Sequence, residues 1–163
     1  MRVVLDTNIL LSALINRHGT PAQLITGWRE RRYDLITSTE QLIELGDVAR
    51  RPVLRTRIVP STVGRLIRDL RKLAEVLTRL PAVERSADSA DNFLLAMAEA
   101  GKANYLVSGD RRGVLALGTH GITQIVRARD FLDVLGIKTL RPPLSETSYA
   151  DSPSVFTASI SVS

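Results

Sequence analysis

The stretch RVVLDTNILLSAL, residues 2–14, is where the fold of this chain is decided. Residues 2–5 read as a short buried strand, and residues 8–14 as an apolar helical run. Asp6 stands at the junction, where the chain leaves a sheet and turns into a helix. A carboxylate in that place is either a helix cap or one corner of a metal site.

Working outward, the same strand-then-helix alternation recurs. Thr20-Pro21 opens a helix, with Thr as N-cap and Pro in the first helical position. Residues 33–37 (YDLIT) predict a second strand. Ser38-Thr39 then caps a helix with Leu42, Leu45, Val48 and Ala49 on one side, ending before Pro52. Residues 61–77 predict one long amphipathic helix, apolar at Val63, Leu66, Ile67, Leu70, Leu73 and Leu77. Its other face is Arg65, Arg68, Arg71 and Lys72. A short strand is expected after Pro81. Residues 90–100 (FLLAMA at their centre) are apolar nearly all round, which predicts a buried helix with Gly101 as C-cap. Residues 104–108 and 123–127 predict two more strands, and residues 128–135 the last helix. Continuously apolar strands alternating with helices predict an α/β fold, a parallel sheet covered on both faces.

The 163 residues suit one domain, with 44% hydrophobic and 24% charged residues as in ordinary globular chains. The expected division is a globular domain over residues 1–141 and a Ser-rich tail over 142–163, with 7 Ser in 22 residues and no Lys or Arg. Val155, Phe156 and Ile160 of that tail are candidates for an added edge strand. Cysteine is absent, which excludes disulfides, thiol catalysis and thiolate metal sites. No apolar run approaches the ~20 residues needed to span a bilayer, and the acid at position 6 interrupts any signal-peptide pattern. The expectation is a cytoplasmic protein without a membrane anchor. Net charge is +5 and uneven: residues 50–85 carry 10 basic and 3 acidic residues, a balance of +7 against −2 for the remainder. Such a segment attracts polyanions such as RNA, although a solvated helix face has the same composition.

Four acids fall at strand–helix junctions. Asp6 follows the first strand, and Asp110 follows YLVSG. Asp91 opens the FLLAMA helix, and Glu44 lies about 40° from Val48 on a helical wheel, at the margin of the apolar stripe. Each alone has an ordinary explanation: a cap for Asp6 and Asp91, a turn for Asp110, a surface position for Glu44. Together they aim carboxylates at one sheet edge, where open α/β sheets bind ligands. Clustered carboxylates repel unless a cation shares them, and oxygen-only ligands suit Mg²⁺ or Mn²⁺. Such an ion activates water for attack on a phosphodiester. His18 and His120, the two histidines, lack partners at ligand spacing.

The string VVLDTNILLSAL, the acid in STEQLIELGDVARRP, and SADNFLLAMAEAGKANYLVSGDRRGVLAL with QIVRARDFL, taken in order, resemble the PIN-domain family. More narrowly, they are similar to the VapC-like toxins of prokaryotic toxin–antitoxin pairs. The resemblance covers roughly residues 2–136. It implies a three-layer α/β/α fold with a central mostly parallel sheet, and Asp6, Glu44, Asp91 and Asp110 as the metal-binding, catalytic acids. Asn8 and Ser108 take supporting places. The activity implied is Mg²⁺-dependent (or Mn²⁺-dependent) RNA cleavage by a homodimer that a small antitoxin inhibits. One departure stands out. Many relatives carry a further acid two positions after the Asp110 equivalent, where this chain has Arg112. That puts a second metal in doubt and makes Arg111 and Arg112 candidates for holding a substrate phosphate. A catalytically weak nucleic-acid-binding module is the alternative. An Asp-based phosphatase or receiver domain fits less well, because Asn8 stands where the phosphatase needs its second acid.

Overall fold

The computed structural model describes residues 1–138, so the tail at 142–163 and its proposed edge strand lie outside the described residues. In chain order, the elements start with β1 (Arg2–Leu5), α1 (Thr7–Ile15), α2 (Thr20–Arg29), β2 (Asp34–Ser38) and α3 (Thr39–Ala49). They continue with α4 (Pro52–Arg55), α5 (Pro60–Leu73), β3 (Glu75–Leu77), α6 (Ser89–Ala100) and β4 (Tyr105–Val107). A 3₁₀ turn (Val114–Leu117), β5 (Thr119–His120), β6 (Thr123–Val126) and α7 (Ala128–Val134) complete the described part.

Among the described residues the strands form one sheet in the order β3-β2-β1-β4-β6-β5, parallel except for β5 against β6. Side chains alternate across it. Val3 and Leu5 of β1 face one layer, where Leu10, Leu24, Leu45, Leu66 and Phe131 from the α1, α2, α3, α5 and α7 helices cover them. Val4, Ile36 and Leu106 face the other, closed chiefly by Leu94, Leu95, Met97 and Ala98 of α6. Both faces being buried accounts for the unbroken apolar strands. The result is a three-layer α/β/α fold with a mostly parallel sheet, as the sequence predicts.

Local readings shift at several places. α2 is capped by Gly19, and Thr20 is its first residue. The long helix expected over 61–77 ends at Leu73: Ala74 is extended, and residues 75–77 turn away to pair with β2. Leu77 fits the helical spacing only by coincidence, and Leu73 is exposed rather than packed. No strand follows Pro81; residues 81–88 are irregular. Gly101 ends α6, but its φ of −84° is not left-handed. A glycine is needed there because a Cβ would sit 2.7 Å from Ile36 Cδ1 and 2.8 Å from its Cγ2, so α6 ends in tight contact with β2.

The chain passes from β1 outward to β2 and β3, then returns across α6 to β4 on the other side of β1. That reversal leaves a crevice beyond the carboxyl ends of β1 and β4, the place where open α/β sheets bind ligands. The register sets Leu5 opposite Val107, so the residues following each strand emerge side by side.

Candidate active site

Asp6 sits at that crevice. It is buried, caps α1, and accepts from the Asn8 backbone N–H (3.1 Å) and the Ser108 hydroxyl (2.8 Å) through different carboxylate oxygens. Cap and candidate ligand are therefore the same residue. Burial pushes its carboxyl up to about 6 against the two hydrogen bonds, and the nearby Glu44 and Asp110 carboxylates add to the rise. A full negative charge on Asp6 is thus held at a cost in the free protein.

Ser108 joins Asp6 to the neighbouring loop. Its hydroxyl also accepts from the Asp110 backbone N–H (3.2 Å), and Asp110 in turn accepts from the Arg112 backbone N–H (3.0 Å). This Asx-type turn fixes one oxygen of Asp110 and leaves the other on the far side. The Ser108 hydroxyl therefore bridges two of the four acids.

Glu44 is brought in through Thr7, a residue with no signal of its own in the sequence. The Thr7 hydroxyl donates to Glu44 (2.9 Å). Behind it lies Gln41, 1% exposed, whose amide nitrogen donates to the Leu5 carbonyl (2.8 Å) and to Thr7 Oγ1 (3.3 Å). Its amide oxygen accepts from the Thr37 hydroxyl (2.8 Å), and its backbone N–H is capped by Ser38 (3.1 Å). One glutamine thus ties the carboxyl end of β1 to that of β2 and sets the height of Glu44.

Asp91 approaches from the opposite layer, in the first turn of α6, which Asp88 caps by accepting from the Ala90 N–H (2.8 Å). Burial raises the Asp91 carboxyl above its ordinary range; hydrogen bonds from the Ser86 hydroxyl (3.0 Å) and the Val114 backbone N–H oppose this, while Asp88 and Asp110 add to it. Ser86 is held in turn by the Asn92 side chain, which accepts from the Ser86 N–H (2.8 Å) and donates to its carbonyl (2.7 Å). Neither Ser86 nor Asn92 carries a periodicity signal. The S-x₅-N spacing in an irregular loop before a helix is the only trace.

The four acids therefore stand as electrostatic neighbours in sequence: Glu44 with Asp6, Asp6 with Asp110, Asp110 with Asp91. Among the described residues, no three His, Cys, Asp or Glu side chains close into a ready ligand cluster. That arrangement still suits Mg²⁺, which keeps several waters and takes one or two carboxylates directly. One further observation fits a hydrated cation. The Asn8 side-chain oxygen is buried with no hydrogen-bond partner among the described residues. At Gly113 a Cβ would lie 2.8 Å from Asp110 Oδ2 and 3.0 Å from Asp91 Oδ1, so the two carboxylates crowd the backbone there and leave no room for a side chain. The oxygen-only donor set is that of a hard divalent ion.

The remaining candidates lie outside this crevice. Arg65, Arg68, Arg71 and Lys72 are exposed on α5, and among the described residues none of them forms an ion pair. The single acid of that helix, Asp69, is taken by Arg29 of α2 (2.9 Å). Arg111 and Arg112 are exposed beside Asp110. No helix among the described residues is long and apolar enough to cross a membrane.

A comparison with curated proteins returned no match. A family model described as the PIN domain matches residues 2–112, the span that carries β1, the crevice and all four acids. With the three-layer fold and the carboxylates at the carboxyl edge of its sheet, the chain belongs to the PIN-domain family, generally a nuclease fold.

Proposed function

We propose that this protein is a Mg²⁺-dependent (or Mn²⁺-dependent) endoribonuclease, the toxin of a VapC-like toxin–antitoxin pair. The observation that carries the reading is Asp6, buried at the carboxyl end of β1 and raised to about 6 with Glu44 and Asp110 beside it. Such a site is disfavoured when fully ionised and empty, and a cation relieves it. Asp6, Asp91 and Asp110 would hold the ion, with Glu44 contributing directly or through water; Asn8 and Ser108 steady Asp6. When bound, the ion supplies Lewis acidity for a phosphodiester oxygen and a water acidified for attack. Arg111 and Arg112, at the rim, would hold a substrate phosphate by the guanidinium fork. Cleavage of RNA with and without Mg²⁺, wild type beside Asp6→Asn, tests the assignment.

The basic face of α5 is proposed to bind the RNA backbone. Neutralising Arg65, Arg68 and Arg71 together should weaken RNA binding and flatten its salt dependence. On a single strand the slope should fall by roughly 0.7 for each phosphate that is no longer neutralised. An unaltered slope would mean that the face is merely solvated.

The partners proposed are a small antitoxin protein and a second copy of the chain. Light scattering at micromolar concentration should report twice the 17.9 kDa of one chain; a mass of 17.9 kDa would exclude the dimer at that concentration. A second reading, a binding module with little catalysis, draws on Arg112 in place of an acid. RNA binding that EDTA leaves intact, without cleavage under any divalent ion, would favour it.

A further inference from the structure

We infer that Gly64 is a contact point for the RNA backbone on α5: its missing side chain lets a phosphate–ribose chain lie against the helix, between the cations that hold its phosphates. The inference rests on the reading above, in which the basic face of α5 binds RNA. Gly64 lies inside the helix, which runs over the 14 residues Pro60–Leu73. On the helical wheel Arg71 is about 20° from Gly64 and Arg68 about 40°, while Lys72 and Arg65 are about 80° and 100° away. Gly64, Arg68 and Arg71 thus form one row along the helix, with Arg65 and Lys72 beside it. All five are exposed. Leu66 and Leu70 are buried on the far side, and Ile67 Cδ1 lies 3.7 Å from where a Cβ on Gly46 would stand. Gly46 belongs to α3, the helix that carries Glu44, so the basic row flanks an element of the candidate site.

Neither backbone nor packing asks for glycine at this position. Gly64 is helical, and the positive φ angles among the described glycines fall at Gly118, Gly121 and Gly136. A Cβ on Gly64 would meet no atom within 4 Å among the described residues, whereas one on Gly101 would strike Ile36 at 2.7 Å. Inside a helix glycine is less favourable than alanine, because it gives up more backbone freedom on folding. Alanine would therefore fit and stabilise, and the fold keeps a local weakness at one point of its basic row. What glycine offers there is an uncovered helix backbone, which a partner's chain can approach more closely than any side chain permits. The surrounding charge identifies that partner. Arg65, Arg68, Arg71 and Lys72 form no ion pair among the described residues, and Asp69, the acid of this helix, is held by Arg29 at 2.9 Å. A row of like charge matches a repeating anion, and it repels the same face of a second copy.

The test is the affinity for a fluorescein-labelled single-stranded oligoribonucleotide of mixed sequence, read by anisotropy in EDTA so that no cleavage intervenes. Gly64→Ala should melt higher than the wild type and yet bind this RNA more weakly. Gly64→Gln, uncharged and a good helix former, should also melt higher, and its longer side chain should weaken binding at least about tenfold. Replacing Arg65, Arg68 and Arg71 together by glutamine separates the two readings. If that protein binds RNA weakly while Gly64→Gln binds like the wild type, the row works through its cations alone and the role of Gly64 is overturned. If neither protein differs from the wild type, the RNA-binding reading of α5 falls and the inference falls with it. A Gly64→Ala protein that melts lower than the wild type would reveal a need for glycine within the fold, and that too overturns the inference.

Discussion

Asp6→Asn should give a protein that melts higher than the wild type in EDTA at neutral pH and cleaves RNA at least about a hundredfold more slowly in Mg²⁺. The two halves of this result have one cause. The Asp6 carboxyl titrates at about 6 in the folded protein against an ordinary 3.8. The unfolded chain therefore gives up its proton first as pH rises, and the folded state becomes progressively less favoured between roughly pH 4 and 6. Above that window the full penalty is in place. A shift of this size corresponds to about 2–3 kcal/mol at 1.36 kcal/mol per unit. Asparagine carries no such penalty, and it keeps an oxygen for the Asn8 N–H and an amide group that the Ser108 hydroxyl can accept from. The stability gap between the two proteins should thus be small at pH 4 and grow to about 2–3 kcal/mol at pH 7.5, several degrees of melting temperature for a chain of this size. Mg²⁺ should shrink or invert the gap, because it stabilises only the protein that binds it. The loss of cleavage follows from the several kcal/mol of charge stabilisation that a displaced metal represents. EDTA should reproduce it in the wild type. A folded Asp6→Asn protein that cuts RNA at the wild-type rate would reduce Asp6 to a helix cap and end the ribonuclease proposal for this edge.

Much of this is legible in the sequence, for a reason particular residues make clear. Asp6, Ser38 and Asp110 are positioned by chemistry within a few residues of themselves: the end of an apolar strand, a capping side chain, an Asx turn. Such signals survive in a linear reading. The sheet's two-sided burial is visible in VVL and YLV for the same reason. Misreadings arise where distant pairing overrides local pattern. Residues 75–77 continue the helical spacing of α5, yet Thr37 of β2 draws Val76 into the sheet, and no local feature announces that partner. β5, two residues long, is too short to leave a period at all. At the site, the acids are legible as residue types while the parts that aim them are not. Thr7 and Ser86 are ordinary hydroxyl residues until folding sets them beside Glu44 and Asp91.

Gln41 is the strongest instance: four residues before Leu45 and seven before Val48, it shares their buried face, yet nothing in the sequence shows what its amide serves there. Replacing it with leucine preserves volume and helix propensity, so the natural expectation for a buried position is tolerance. The opposite should occur. The amide satisfies the Leu5 carbonyl, the Thr37 hydroxyl and Thr7, all at the meeting of β1, β2 and α3. Leucine offers none of these bonds and leaves the Leu5 carbonyl facing apolar carbon; one such unsatisfied group costs about 1–3 kcal/mol. Counting the Thr37 hydroxyl as well, Gln41→Leu should destabilise by about 2–4 kcal/mol, measurable by urea unfolding. Cleavage should fall further than the folded fraction does, because Thr7 loses the donor behind it and with it the fixed hydroxyl that holds Glu44. Asn at position 41 has the right groups on a chain one methylene too short to reach β1, so Gln41→Asn should not rescue. Full stability and rate in Gln41→Leu would mean that the network is incidental to the placement of Glu44. Loss of stability with a normal rate per folded molecule would separate the two roles, leaving Gln41 as the tie between β1 and β2 alone.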